Sequence, residues 1–309
     1  MDRRSEKGKG DGKEMEERAE KAWEILGECT LCQRECRVNR FKGEKGYCGA
    51  GINPEVSSFN EHHGEEPPIS GWKGSGTIFM THCNLKCVFC QNYPISQMGN
   101  GREITIEKMV EMMMILQKRG CHNINFVTPT HYMPQIMKSV LKAREKGLRI
   151  PIVYNCGGYE SLRAIRVLKG IVEIYMPDIK YSEDEKSKKY SNAEDYFSVA
   201  KEAIREMYRQ VGDLELDKNG VATRGVLVRH LVMPEDISGT KKVMEFIGEE
   251  LSRKTYVSIM AQYFPAYRAK EYPEIQRRIT RDEYKKALKY AEEKGILRSW
   301  IQDGILERT

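Results

Sequence analysis

The sequence predicts an α/β fold, a partial (β/α)6 barrel with a small cysteine-rich metal-binding module ahead of it and a helix behind. Three observations carry that expectation. From about residue 75, six short apolar runs alternate with five amphipathic segments, the pattern of parallel strands joined by right-handed helical crossovers. Six such units are too few to close an eight-stranded barrel. Seven of the nine cysteines fall in two clusters, which points to metal rather than to disulfides.

Taken in order, residues 1–28 open with "MDRRSEKGKGDGKEMEERAE", a charged lead-in expected to be partly disordered and lacking the apolar core of a secretion signal. Residues 29–71 are read as a metal knuckle and linker. "CTLCQRECRVNRFKGEKGYCG" spaces Cys29, Cys32 and Cys36 as CxxCxxxC, with 11 residues before Cys48. Four thiolates suit tetrahedral zinc, a single iron or an auxiliary iron–sulfur cluster, and so short a segment needs its ion to fold. A structural role is the default, and electron relay is the alternative. The stretch "NPEVSSFNEHHGEEPPISGWKGSG" reads as an irregular crossing. Within it His62, His63, Glu65 and Glu66 form a polar knot, either a lid or clamp over a site or a turn stiffened by Pro67 and Pro68.

Residues 72–265 carry the barrel. Its strands are "GTIFM" (76–80), "NINFVT" (123–128), "PIVYN" (151–155), "VEIYMP" (172–177), "GVLVRHLV" (225–232) and "YVSIMA" (256–261). Between them lie segments with apolar residues at helical spacing, most of them ending in Gly or basic residues. The run "MVEMMM" is read as core filling, and the single Cys121 and Cys156 as small buried side chains. Residues 266–309 form a helical extension around "RDEYKKALKYAEEKG".

The charge balance of 51 basic against 45 acidic residues, net +6, describes a mixed solvated surface rather than a nucleic-acid footprint. A mean hydropathy of −0.61 with no long apolar run excludes a membrane span, and a cytoplasmic setting is expected.

The segment "THCNLKCVFCQN" (81–92) sets Cys83, Cys87 and Cys90 directly after the first strand, at the rim where barrels carry their chemistry. Three thiolates can hold three irons of a [4Fe–4S] cluster and leave the fourth open, and an open position marks a catalytic site. A zinc site completed by His82 or a distant residue is the alternative.

CxxxCxxC with Phe89 before the third cysteine resembles the radical S-adenosylmethionine superfamily. Together "CVFCQN", "YMPDIKY" and "VRHLVMP" are similar to the activating enzymes of glycyl-radical enzymes, the pyruvate formate-lyase activase group, in its archaeal and bacterial homologue branch. The segments "HHGEEPPISGWKGSGTIF", "FVTPTHYMPQI", "VYNCGGYES" and "MAQYFPAY" add to the likeness, which spans residues 29–268. The resemblance implies a cluster on Cys83, Cys87 and Cys90, with S-adenosylmethionine on the open iron. One electron then splits the sulfonium to methionine and a 5′-deoxyadenosyl radical that abstracts hydrogen from a substrate.

It also implies a cosubstrate pocket. Phe89 and Leu231 would lie on the adenine, Asn155 and Cys156 near the ribose, and Asp178 and Lys180 near the methionine carboxylate and ribose. Met176, Asp178 and Lys180 share one face of their strand by its two-residue period. One departure stands out: the activases carry Gly-Gly-Glu after the second strand, and here "TPTHY" replaces it. Backbone oxygens around Thr128 can still accept the methionine ammonium. His131 in that turn is a candidate substrate contact or proton donor, with a helix N-cap as the alternative. The implied partners are a flavodoxin- or ferredoxin-type electron donor and a glycyl-radical enzyme as protein substrate. A small molecule, lipid or RNA substrate is the competing reading. A non-catalytic metal-binding module is a third, against which the full cosubstrate set argues. The two cysteine sets are expected to stand apart, the barrel contributing nothing to the N-terminal site.

Overall fold

The computed structural model describes residues 3–301, with side chains from residue 12 onward. The chain begins with helix α1 (Arg3–Glu24) and strand β1 (Glu55–His62). Six parallel strands follow: β2 (Ser75–Met80), β3 (Ile124–Val127), β4 (Ile152–Cys156), β5 (Ile174–Pro177), β6 (Ala222–Leu231) and β7 (Tyr256–Met260). Between and after them run α2 (Ile106–Lys118), α3 (Met133–Glu145), α4 (Leu162–Val167), α5 (Tyr196–Val211), α6 (Thr240–Glu245) and α7 (Arg281–Glu293), and strand β8 (Ser299–Ile301) comes last.

The strands lie in one sheet in the order β8-β7-β6-β5-β4-β3-β2-β1, parallel from β8 through β2. This is the open, six-unit α/β barrel that the alternation predicts, with β8 added at one edge and β1, itself paired with the two-residue strand Arg102–Glu103, at the other. The central strands are buried on both faces: every residue of β4 and β5 is buried, Asn155 among them. Met109, Met112 and Met113 of α2 are buried in the core, as core filling requires, and so are Cys121 and Cys156.

The structure departs from expectation in the segments that flank the barrel. The linker contains β1, which pairs antiparallel with β2, Val56 opposite Met80. Only Val56 of its eight residues is buried, so the strand carries almost no apolar signature. The charged lead-in is helical through Glu24, and its residues 1–2 lie outside the described residues, as do residues 302–309 of the C-terminal extension. Ala19 and Ala22 give α1 a thin apolar stripe. Arg18 donates to the carbonyls of Val167 (3.4 Å) and Lys169 (2.7 Å) at the end of α4, and Lys138 of α3 pairs with Glu20 at 2.8 Å. Helix α7 starts at a capping box in which Thr280 and Glu283 bond reciprocally.

Candidate active site

The three-cysteine loop leaves the carboxyl end of β2 and is fixed from three directions. Asn84 Nδ2 donates to the Tyr159 carbonyl at 2.7 Å, and Arg34 of the N-terminal module donates to the Asn84 carbonyl at 3.0 Å. Val88 N donates to the Tyr190 carbonyl at 2.8 Å, while Arg268 N donates to the Val88 carbonyl, also at 2.8 Å. Each thiol has a polar neighbour. Leu85 N donates to Cys83 Sγ at 3.3 Å, Ser191 Oγ donates to Cys87 Sγ at 2.9 Å, and Ser96 Oγ lies 3.1 Å from Cys90 Sγ. His82, at φ +65°, sets its Nε2 3.2 Å from Glu55. That engages the nearer of the fourth ligands open to the zinc alternative.

Burial pushes the Cys87 thiol up to about 11 and the Cys83 thiol higher still, against the pull of nearby Lys180. Without a metal these groups are neutral thiols. Donors aimed at sulfur and a nearby cation are what an anionic cluster requires of its surroundings, so the loop fits one. Among the described residues no three or more His, Cys, Asp or Glu side chains stand close enough to hold a metal ion as they lie.

Beside the loop lies a cleft of about 210 Å³, lined by Cys87, Phe89, Cys90, Asp178, Lys180 and Leu231 together with Arg229 and Met260. Six residues singled out in the sequence thus meet at one cleft. Phe89 is nearly buried, its ring edge-on to Tyr181 and Tyr263. Asn155, Cys156, Thr128 and His131 do not line the cleft. Asn155 reaches it at one remove, its Oδ1 accepting from Arg229 at 2.7 Å. Cys156 is buried beside it, its carbonyl accepting from Asp178 N at 2.8 Å. Thr128 holds φ +59°, a left-handed conformation costly for a β-branched residue, and so keeps the shape of a glycine turn without the glycine.

His131 departs furthest from its expected role. It is 1% exposed, its Nε2 is 2.7 Å from the Thr81 carbonyl, and burial drives its pKa down to about 3. A neutral imidazole locked behind β2 is neither a rim contact nor a proton donor near neutral pH, and its side chain makes no N-cap bond to the helical turn it occupies.

Arg229 is the residue that sequence reasoning missed. Its guanidinium donates to Asp178 Oδ1 at 2.8 Å and to Asn155, and sits 3.5 Å from Glu65 Oε2. Asp178 also pairs with Lys180. Burial opposes ionisation, yet Arg229 and Lys180 together hold the Asp178 carboxyl below its ordinary value. The signal was available: residues 227, 229 and 231 share one face of a strand, so assigning Leu231 to the cleft places Arg229 there too. The polar knot divides. His62 stays at the surface edge-on to Phe79, whereas Glu65 enters the barrel, its Oε1 accepting from Asn125 at 3.0 Å. Burial raises Glu65 to about 7 despite Arg229. Glu66 is buried too, with Oε2 lacking a partner.

A six-unit open barrel whose polar cleft adjoins a three-cysteine loop defines a class of radical enzyme. Residues 77–247 match the Radical SAM superfamily, and the chain belongs to it. It is 34% identical over 288 residues to the uncharacterized protein MJ0674 of Methanocaldococcus jannaschii, covering 90% of this chain and 78% of that protein. A second uncharacterized protein of the same organism, MJ0808, is 24% identical over 267 residues, covering 79% and 73%. Among solved structures, the FeFe-hydrogenase maturase HydG from Carboxydothermus hydrogenoformans superposes with a TM-score of 0.50 at 11% identity over 72% of this chain. The chain spans about half the length of that maturase (51%), and the likeness speaks to the barrel alone. Superfamily membership implies a [4Fe–4S] cluster and S-adenosylmethionine.

Proposed function

We propose that this protein reductively cleaves S-adenosylmethionine at a cluster held by Cys83, Cys87 and Cys90, and passes the radical to a backbone glycine of a partner protein. The observation that carries the reading is the meeting of the three-cysteine loop, Phe89 and the Asp178–Lys180–Arg229 group at one cleft. The cluster supplies the single electron that breaks the sulfonium bond. The chain's own residues bind and orient. Phe89 and Leu231 give the adenine an apolar wall. Asp178, held ionised between two cations, accepts from ribose hydroxyls or the ammonium, and Lys180 and Arg229 supply the positive charge that a carboxylate needs. Asn155 keeps Arg229 in place. A flavodoxin- or ferredoxin-type protein delivers the electron. The choice of a glycine as target rests on the likeness of "CVFCQN", "YMPDIKY" and "VRHLVMP" to the activases.

Anaerobically reconstituted protein with dithionite and S-adenosylmethionine should release 5′-deoxyadenosine, and Cys87→Ala should not. Mixed with a candidate glycyl-radical enzyme, the protein should yield the doublet electron-spin resonance of a glycyl radical. Deoxyadenosine without any protein radical would move the target to a small molecule, lipid or RNA. Cleavage surviving in a variant lacking all three cysteines would end the reading.

A further inference from the structure

The N-terminal module is not independent of the barrel. Two tight turns carry its cysteines: Arg37 N donates to the Cys29 carbonyl (3.0 Å) and Glu35 N to the Cys32 carbonyl (3.1 Å), while Gly49 N closes on Gly46 (3.0 Å) around Cys48. The second turn presses on the first, since Tyr47 N donates to Cys36 Sγ at 3.3 Å and a Cβ at Gly46 would fall 2.9 Å from the same sulfur. Between residues 29 and 50 only Cys29, Leu31, Cys32, Arg40 and Ala50 are buried, so no core of its own holds the segment.

Arg40 shows what does. It is 2% exposed, yet among the described residues it pairs with no carboxylate. Its guanidinium donates to Cys29 Sγ at 3.1 Å, to Cys48 Sγ at 3.8 Å and to the His131 carbonyl at 2.6 Å, and its Nε has no partner. A buried cation with sulfur atoms and carbonyls around it and no carboxylate lacks a counter-charge. Four thiolates on a divalent ion carry net −2, and one guanidinium beside them brings the site to −1. The sulfur-only donor set selects zinc or ferrous iron.

We propose that Cys29, Cys32, Cys36 and Cys48 bind one divalent ion in a tetrathiolate site, with Arg40 balancing its charge and tying it to the turn after β3. The tie is broader than one residue. Cys32 forms a backbone bridge with Glu160, whose carboxylate accepts from Thr130 at 2.7 Å and Tyr154 at 3.2 Å. Gln135 donates to the Ile52 carbonyl at 2.6 Å, and Arg34 stacks on Tyr47, 3.9 Å from its centroid, while holding Asn84 next to Cys83. The ion therefore braces both the Thr128–His131 turn and the three-cysteine loop.

The test uses full-length protein carrying Cys83→Ala, Cys87→Ala and Cys90→Ala, so that any metal it holds is not the cluster's. Elemental analysis after separate loading with zinc and ferrous iron should give one equivalent per chain, and cobalt(II) should give thiolate-to-metal charge-transfer absorption. Arg40→Met should keep that stoichiometry but loosen the ion roughly 10–100-fold in chelator competition, the usual effect of removing a partner that orients metal ligands, with Arg40→Lys between the two. Chelating the ion should speed hydrogen exchange at residues 128–131 and 83–90. No bound metal, or four thiols that titrate freely in the folded protein or oxidise to disulfides, would overturn the site. Metal bound equally tightly by the Arg40→Met protein, or exchange indifferent to the chelator, would overturn the part given to Arg40 and the brace.

Discussion

Replacing Glu65 by Gln should flatten the dependence of stability on pH, by an amount the structure allows to be worked out. Glu65 is a carboxyl inside the barrel whose pKa rises from 4.5 to about 7. Burial is the main cause, and Glu66 and Asp178 add to it against Arg229 and Asn125. A carboxyl raised in the folded state binds its proton more tightly there. The stability it contributes is complete below about 4.5 and is lost as pH climbs through about 7. At about 1.4 kcal/mol per pKa unit, the full swing is about 3.4 kcal/mol, of which about 2 kcal/mol falls between about pH 5.5 and pH 8. Gln keeps an oxygen for Asn125 and removes only the titration. Guanidinium unfolding of the two proteins across that range should show the wild type losing about 2 kcal/mol more than Glu65→Gln. Glu160, also near 7, is common to both proteins and cancels. Parallel profiles would mean that Glu65 is solvated, and would remove the buried charge chain from Glu65 to Asp178.

Asp178→Ala and Lys180→Ala should each weaken S-adenosylmethionine binding by about 1–3 kcal/mol while leaving cluster assembly intact, as read by titration calorimetry and iron content. Unchanged affinity in both would reduce the pair to a structural ion pair. Arg229→Leu should cost about 1–3 kcal/mol of folding stability by leaving Asp178 with Lys180 as its one cation, and adding Asp178→Asn should recover part of it in a double-mutant cycle. Strictly additive effects would break the link drawn between them. Thr128→Gly should be neutral or stabilising by up to about 1 kcal/mol, because a left-handed conformation costs a side chain about that much. Marked loss of stability in chemical unfolding would mean that the methyl and hydroxyl contacts outweigh the strain.

What was legible in the sequence followed from how sharply each feature restricts residue type. Strands buried on both faces read as mostly apolar runs, and all six barrel strands were found within a few residues of their ends. The three-cysteine loop is equally restricted, since no other residue type makes that set of ligands. β1 was not legible because an edge strand with one buried residue in eight leaves polar side chains free to vary. α1 was hidden for a related reason: two alanines and an arginine reaching for carbonyls anchor it, and none of these stands out in a charged helix. His131 misled because a residue after a strand end looks like a rim residue, whereas the chain folds it back behind β2 onto Thr81. Arg229 was overlooked on a strand chosen for its leucine. Long-range pairing, which joins it to Glu65 across the barrel, leaves no trace in local pattern.

The three-cysteine loop is held by chain that is made long before it and by chain that is made long after it. Arg34 precedes its partner Asn84 by 50 positions, while Arg268, which fastens Val88, lies near the far end of the protein. During synthesis the loop therefore emerges with one side already supported and the other bare, and it stays so until nearly all of the barrel has been translated. Contacts so distant in sequence form late. A chain cut short after β7 would keep the Tyr190 carbonyl on Val88 N but would lack the Arg268 N–H on the Val88 carbonyl, leaving the loop fastened on one side only.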